Sequence, residues 1–190
     1  MAVVPIGQIG PNAIIQLVHA IDAHEGRAVT RDIFAASGCT AYLDTAPESM
    51  VDEHDVAALH QALFRALPGA HAQAVARDAG GRTADYVIAN RIPRLAKMVL
   101  GVLPPAFAAR FLLRAISRHA WTFAGSGGFS ANSQMIQIAS NPIAVPGCPW
   151  HQAVFERLFQ RLVCHDATVR ETTCCARGDA ACRFELSLVH

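Results

Sequence analysis

Residues 168–189 read Thr-Val-Arg-Glu-Thr-Thr-Cys-Cys-Ala-Arg-Gly-Asp-Ala-Ala-Cys-Arg-Phe-Glu-Leu-Ser-Leu-Val, two β-prone runs on either side of Arg177-Gly178-Asp179. This pattern predicts a hairpin with strands from Thr168 to Cys175 and from Cys182 to Val189. If paired positions sum to a constant about Gly178, Cys174 and Cys182 sit directly opposite on one face. Two thiols so placed suit a borderline-soft cation such as zinc. Cys148, in Pro146-Gly-Cys-Pro149, is a candidate third ligand, because a rigid loop pre-orders its sulfur. Glu171 could complete a tetrahedron, but it lies three positions from Cys174, so an ideal strand would point the two to opposite faces and a bulge is required. The competing reading is a cross-strand pair of inert cysteines, since cysteine is among the most buried residue types. Cys175 should face away from Cys174 and, like Cys164 and Cys39, be a buried structural thiol.

Upstream of the hairpin, Trp121 to Gly127 and Gln134 to Ala139 read as two further strands joined by a Gly/Ser/Asn turn. His151 to Val163 is amphipathic with helical spacing. The first half is helical throughout. Asn12 can cap a segment carrying Ile14, Leu17, Val18 and Ile21. Thr30 can cap a short helix ending at Gly38. Ser49 and Asp52 resemble a capping box ahead of Val56, Leu59 and Leu63. Residues 70–90 read as two helical pieces, because Gly80-Gly81 weakens the middle. Pro104-Pro105 opens a helix from Ala106 to Arg118. Helices first and an antiparallel sheet afterwards predict one α+β domain over residues 1–190, helical to about 119 and sheet-rich beyond, with the N-terminal helices packed on the C-terminal sheet.

The composition fits a well-buried interior: of 190 residues, 52% are hydrophobic and 16% charged. A formal charge of +1 argues against wholesale binding of a nucleic-acid backbone. Lys97 is the only lysine and lies between Ala96 and Met98, so there is no Gly-Lys-Ser/Thr phosphate loop, and Schiff-base chemistry would have to use that one residue. Met1 to Ile21 has no basic leader region, and no apolar run reaches bilayer length. A cytoplasmic protein with thiols or metal ligands, rather than a disulfide framework, is expected.

Charge is distributed unevenly. No acidic residue falls between Asp85 and Glu156, whereas Arg91, Arg94, Lys97, Arg110, Arg114 and Arg118 do. Arg110, Arg114 and Arg118 repeat every four residues beside Phe107 and Phe111. The stripe reads either as the solvated edge of a core helix or as a cationic rim on an apolar pocket. Such a rim suits a carboxylated apolar ligand or an anionic membrane surface.

The run from Glu171 to Phe184, with Cys148 upstream, resembles the 4-vinyl reductase (V4R) domain. Sensory members of that family hold a structural zinc with three cysteines and a glutamate, a pattern that falls here on Cys148, Glu171, Cys174 and Cys182. Asn90-Arg-Ile-Pro-Arg94 and Arg118-His-Ala-Trp121-Thr-Phe123-Ala-Gly125-Ser-Gly127 resemble more closely the family's bacteriochlorophyll-synthesis J branch, whose ascribed activity is 4-vinyl (8-vinyl) reduction of divinyl chlorophyllide. The resemblance implies a small-molecule-binding α+β fold, often a homodimer. It also implies a magnesium tetrapyrrole as ligand, pathway enzymes as partners and a location at or near the photosynthetic membrane.

Reduction of a vinyl group needs two electrons, and the residues display no hydride-donor site. Gly125-Ser-Gly127-Gly128-Phe-Ser130 lacks the final glycine and the strand-to-helix setting of a dinucleotide fingerprint. A metal with four protein ligands also leaves no open position for substrate. Binding fits the residues better. Phe107, Phe111, Leu112, Trp121, Phe123 and Phe129 could form an apolar slot, Arg114 or Arg118 could pair with a propionate, and His119, or else His151, could offer an imidazole to magnesium. The leading expectation is a carrier that presents a protochlorophyllide-like pigment to a pathway enzyme. The alternatives are the reductase with an external donor and a sensory module for small aromatics.

Overall fold

A computed structural model describes residues 7–188. Met1–Ile6, Val189 and His190 lie outside the described residues, and with them the start of the amino-terminal stretch and the end of the second hairpin strand. Helices come first and the main sheet last, as the sequence predicts.

Strand β1 (Gln8–Ile9) pairs antiparallel with β2 (Val51–Asp52), and between them lie α1 (Asn12–Glu25), α2 (Arg27–Ala36) and the single turn α3 (Ala41–Asp44). Helix α1 buries Ala13, Ile14, Leu17, Ala20 and Ile21, the three-and-four spacing of one helix face. Helix α2 starts earlier than Thr30 because Gly26, at φ +84°, turns the chain between the two helices. Thr30 instead sits inside α2, where its hydroxyl donates to Asp22 and to the Gly26 carbonyl. The cap of α4 (Glu53–Ala66) is Asp52 alone, its carboxylate accepting the His54 N–H at 2.8 Å, so Ser49 is not needed for that helix.

Helix α5 (Gly69–Asn90) runs unbroken through Gly80-Gly81, where two pieces are expected. The reason lies in α9 (Pro149–Leu162), which packs across it. A Cβ on Gly80 would lie 2.3 Å from the Trp150 carbonyl oxygen and 3.0 Å from Ala153 Cβ. The glycine weakens helix propensity by about 1 kcal/mol, but it lets two backbones approach more closely than any side chain would permit.

Pro93 and Pro104 precede α6 (Arg94–Val102) and α7 (Pro105–Arg118). The stretch after α7 is not the expected strand. Trp121–Ala124 forms a single turn, α8, closed by Thr122 N–H to His119 O and Ala124 N–H to Ala120 O. Gly125, at φ +56°, then redirects the chain, and extended structure begins only at β3 (Gly128–Ala131).

Strands β3, β4 (Met135–Ala139), β5 (Thr168–Thr173) and β6 (Ala181–Ser187) form an antiparallel sheet of order β3-β4-β6-β5. Ile136 faces Phe184 and Ile138 faces Cys182, placing a buried apolar row against the helices. Phe155 of α9 meets Phe184 and Phe123 edge-on, with ring centres 5.4 and 5.5 Å apart.

Candidate metal centre and ligand face

Three elements deliver three thiols to one point. Cys148 is the residue before α9 and holds a left-handed conformation, φ +40° and ψ +47°, right after Gly147 at φ +86°. A non-glycine residue there costs on the order of 1 kcal/mol and persists where surrounding contacts demand it. Its N–H donates to Val145 O at 2.8 Å, and its carbonyl accepts from Gln152 N at 3.0 Å. Cys174 follows β5, and Cys182 lies in β6. The hairpin register steps between Glu171 and Thr173, from Glu171 opposite Phe184 to Thr173 opposite Arg183. That step is the bulge the sequence requires, and it carries Cys174 to the level of Cys182.

The Sγ atoms of Cys148, Cys174 and Cys182 all lie within 4.8 Å of one another, and all three residues are buried. Cys148 Sγ is 3.2 Å from Cys182 Sγ and 3.5 Å from Cys174 Sγ. Cys182 also receives the Cys175 N–H at 3.3 Å and the Asn141 amide at 3.4 Å. Asp179 accepts the Cys174 N–H at 2.8 Å, which fixes the turn that carries that thiol. Sharing of thiol protons within this cluster lowers the pKa of Cys182 and Cys174 and raises that of Cys148. Buried, converging sulfurs, two of them biased toward thiolate, are a donor set able to hold a soft or borderline metal ion.

Glu171 is not in this group. Its carboxylate, 8% exposed, is ion-paired with Arg177 across the turn. Cys39 is buried, whereas Cys175 and Cys164 are half-buried rather than fully enclosed.

The residues expected to line a pigment slot divide into two groups. Phe107, Phe111, Arg114 and Arg118, spaced four, three and four apart on α7, share one exposed face, with Trp121 exposed just beyond. Leu112 is buried on the opposite face. Phe123 turns inward and packs edge-on against Phe129, with centres 5.4 Å apart, and against Phe155. His119 is exposed at the end of α7. A groove of about 440 Å³ runs between α7 and the β3–β4 turn, lined by Arg110, Leu113, Arg114, Ser117, Asn132 and Ser133 among others.

His151 is buried, with Nε2 3.0 Å from Phe123 O and Nδ1 3.5 Å from the Asn141 amide. His60 is buried beside Trp150, their ring centres 6.2 Å apart. Burial pushes both histidines down to about 4, so both rings are neutral near pH 7.

Two buried polar residues escape the sequence reading. Asn141 touches Cys148, Cys182 and His151 and ties the thiol cluster to α9. Glu53, at the start of α4, accepts both the N–H and the hydroxyl of Ser126 at 2.7 Å. A helix cap such as Asp52 follows from local sequence, but nothing local marks either of these long-range contacts.

A buried three-thiol centre, seated by a bulged hairpin and a left-handed cysteine, is carried by the part of the chain that matches the V4R domain, residues 139–188. The chain is 46% identical over 189 residues to the bacteriochlorophyll synthase 23 kDa chain of Cereibacter sphaeroides, covering 94% of this chain and 90% of that one. It is 41% identical over 188 residues to the protein of the same name from Rhodobacter capsulatus, covering 94% and 86%. It therefore belongs to the family of the bacteriochlorophyll synthase 23 kDa chains. Its fold is similar to that of an H-NOX protein from S. oneidensis, with a TM-score of 0.51 at 13% identity, covering 96% of this chain and all of the other.

Proposed function

We propose that this chain binds a magnesium tetrapyrrole intermediate of bacteriochlorophyll biosynthesis, protochlorophyllide-like, and carries or presents it to a pathway enzyme. The observation that carries the reading is the exposed face of α7, where Phe107 and Phe111 are followed by Arg114 and Arg118 beside the groove. A flat macrocycle with one propionate needs an apolar platform and a guanidinium at its edge, and this face offers both. His119, exposed next to Arg118, is the imidazole we assign to the magnesium, and Trp121 continues the wall, while Phe123, turned inward against Phe129 and Phe155, lies behind it. The relatives' name, a chain of bacteriochlorophyll synthase, supports a pathway enzyme as partner. In this reading the protein works as a homodimer in the cytoplasm, peripheral to the photosynthetic membrane.

The thiol centre is structural in this reading. Zinc is the ion it suits, with Cys148, Cys174 and Cys182 as ligands and Glu171 as the fourth once its carboxylate leaves Arg177. When bound, such an ion would cross-link the hairpin to the start of α9. It would leave no position for substrate, so this chain's residues hold the pigment elsewhere.

The V4R match over residues 139–188 supports a second reading, 8-vinyl (4-vinyl) reduction with electrons from an external donor. Absorbance titration with protochlorophyllide tests the first reading. We expect a saturable shift at one pigment per chain, weakened about tenfold by Arg114→Gln with Arg118→Gln. No shift for the unaltered protein would refute it.

A further inference from the structure

We propose that the exposed apolar face of α6, with the arginines that border it, forms a docking surface for an anionic lipid bilayer. This deepens the reading above by naming the surface, and rests on it only in that a tetrapyrrole with one propionate partitions into membranes. Helix α6 is amphipathic in the inverted sense. Leu95, Met98, Val99 and Val102 share about 100° of its circumference at 3.6 residues per turn, and that arc faces solvent. Leu95, Met98 and Val102 are 71%, 69% and 82% exposed, whereas Leu100, on the far side, is buried. Lys97 points back toward the fold, its Nζ 2.9 Å from Ile88 O. On the next helix, α7, Phe107 and Phe111 are also exposed, at 55% and 60%, and Trp121 at 38%.

Soluble proteins rarely leave so many large apolar side chains together in water. The fringe identifies the occupant. Arg91, Arg94, Arg110, Arg114 and Arg118 are exposed, and none forms an ion pair among the described residues. No acidic residue occurs between Asp85 and Glu156. A second copy of this chain seated on the same face would bring cations against cations, so charge disfavours self-association there. Aliphatic and aromatic side chains bordered by unpaired arginines match the boundary between acyl chains and anionic headgroups. No helix among the described residues is long and apolar enough to cross a bilayer, so contact at this face would be interfacial.

The test is sedimentation of the full, metal-loaded chain with vesicles of equal parts phosphatidylglycerol and phosphatidylcholine, against vesicles of phosphatidylcholine alone, with no pigment added. We expect several-fold more protein bound to the anionic vesicles, a loss of most of that excess in high salt, and a fall to the phosphatidylcholine level for Met98→Glu with Val102→Glu. Both positions are exposed, so far-ultraviolet circular dichroism should be unchanged. If that variant misfolds, Arg91→Gln with Arg94→Gln serves instead and should halve the anionic preference or more. Equal binding to both vesicle types, or anionic binding untouched by the folded variants, would overturn the proposal. So would a dimer that Met98→Glu with Val102→Glu dissociates while vesicles capture nothing. Because pigment is absent, failure here leaves the pigment reading standing, and failure of the titration leaves this surface standing.

Discussion

Cys148 and Cys182 stand 34 positions apart in sequence and 3.2 Å apart at sulfur. The contact joins the start of α9 to the second strand of the hairpin, and Cys174 closes the triangle. Held by zinc, the triangle would clamp the hairpin to the start of α9, beside the β5–β6 pairing and the Val169 N–H bond to Glu156 of α9. Replacing Cys182 by Ser is therefore expected to abolish metal content in elemental analysis and to destabilise the fold by about 4 kcal/mol or more. Cys175→Ser, outside the triangle, should keep about one zinc per chain. Full occupancy in both variants would contradict the ligand assignment.

Gly80→Ala should destabilise the protein, although alanine is the better helix former by about 1 kcal/mol. The new Cβ would meet the Trp150 carbonyl at 2.3 Å, a backbone atom that cannot rotate away. Urea denaturation should show a loss of about 2 kcal/mol. A gain in stability would mean that α5 and α9 are not in such close contact.

Glu53→Ala removes the buried carboxylate that accepts the Ser126 N–H and hydroxyl, and leaves those two donors, on an exposed residue, to water. A loss of about 1–2 kcal/mol is expected by denaturant titration. Gly125→Ala should act at the same point from the other side, because a Cβ there would fall 2.2 Å from Glu53 Oε2 at a positive φ. Wild-type stability in both variants would show that the α4–loop tether is dispensable.

His60 and His151 set an acid limit. Each has a folded-state pKa depressed to about 4 by burial, from an ordinary value of 6.5. Below 6.5 the unfolded chain takes up protons that the folded chain refuses, so stability falls as pH drops from 6.5 toward 4. The loss is on the order of 3 kcal/mol per ring at the acid end of that window. Denaturation at pH 5 and pH 7 should show the difference, and His60→Leu should reduce it. A pH-independent midpoint across this window would contradict neutral, buried rings.

The hairpin is legible in sequence because its signals are local. Gly178 marks the turn, the β-prone runs flank it, and the three-residue offset of Glu171 from Cys174 calls for a bulge that the register step supplies. Trp121–Ala124 is misread as strand because a single helical turn is too short to display a period, and its aromatic and Thr content favours extended structure. The continuity of α5 is hidden for a different reason. The force that overrides two glycines comes from Trp150, on a helix far along the chain. At the site, the cysteines announce themselves by spacing, whereas Asn141 and Glu53 act through contacts that only the folded chain creates. The apolar stripe of α7 can be read from its spacing. That Phe107 and Phe111 face water cannot, since exposed and buried stripes share one period.

Binding without transformation is tested most directly by incubating the purified, metal-loaded chain with divinyl protochlorophyllide and either NADPH or reduced ferredoxin, then recording the spectrum and the mass of the recovered pigment. A shifted absorbance for one bound pigment per chain and an unchanged recovered mass are expected. Pigment heavier by two hydrogens, formed over repeated turnovers, would contradict binding without transformation.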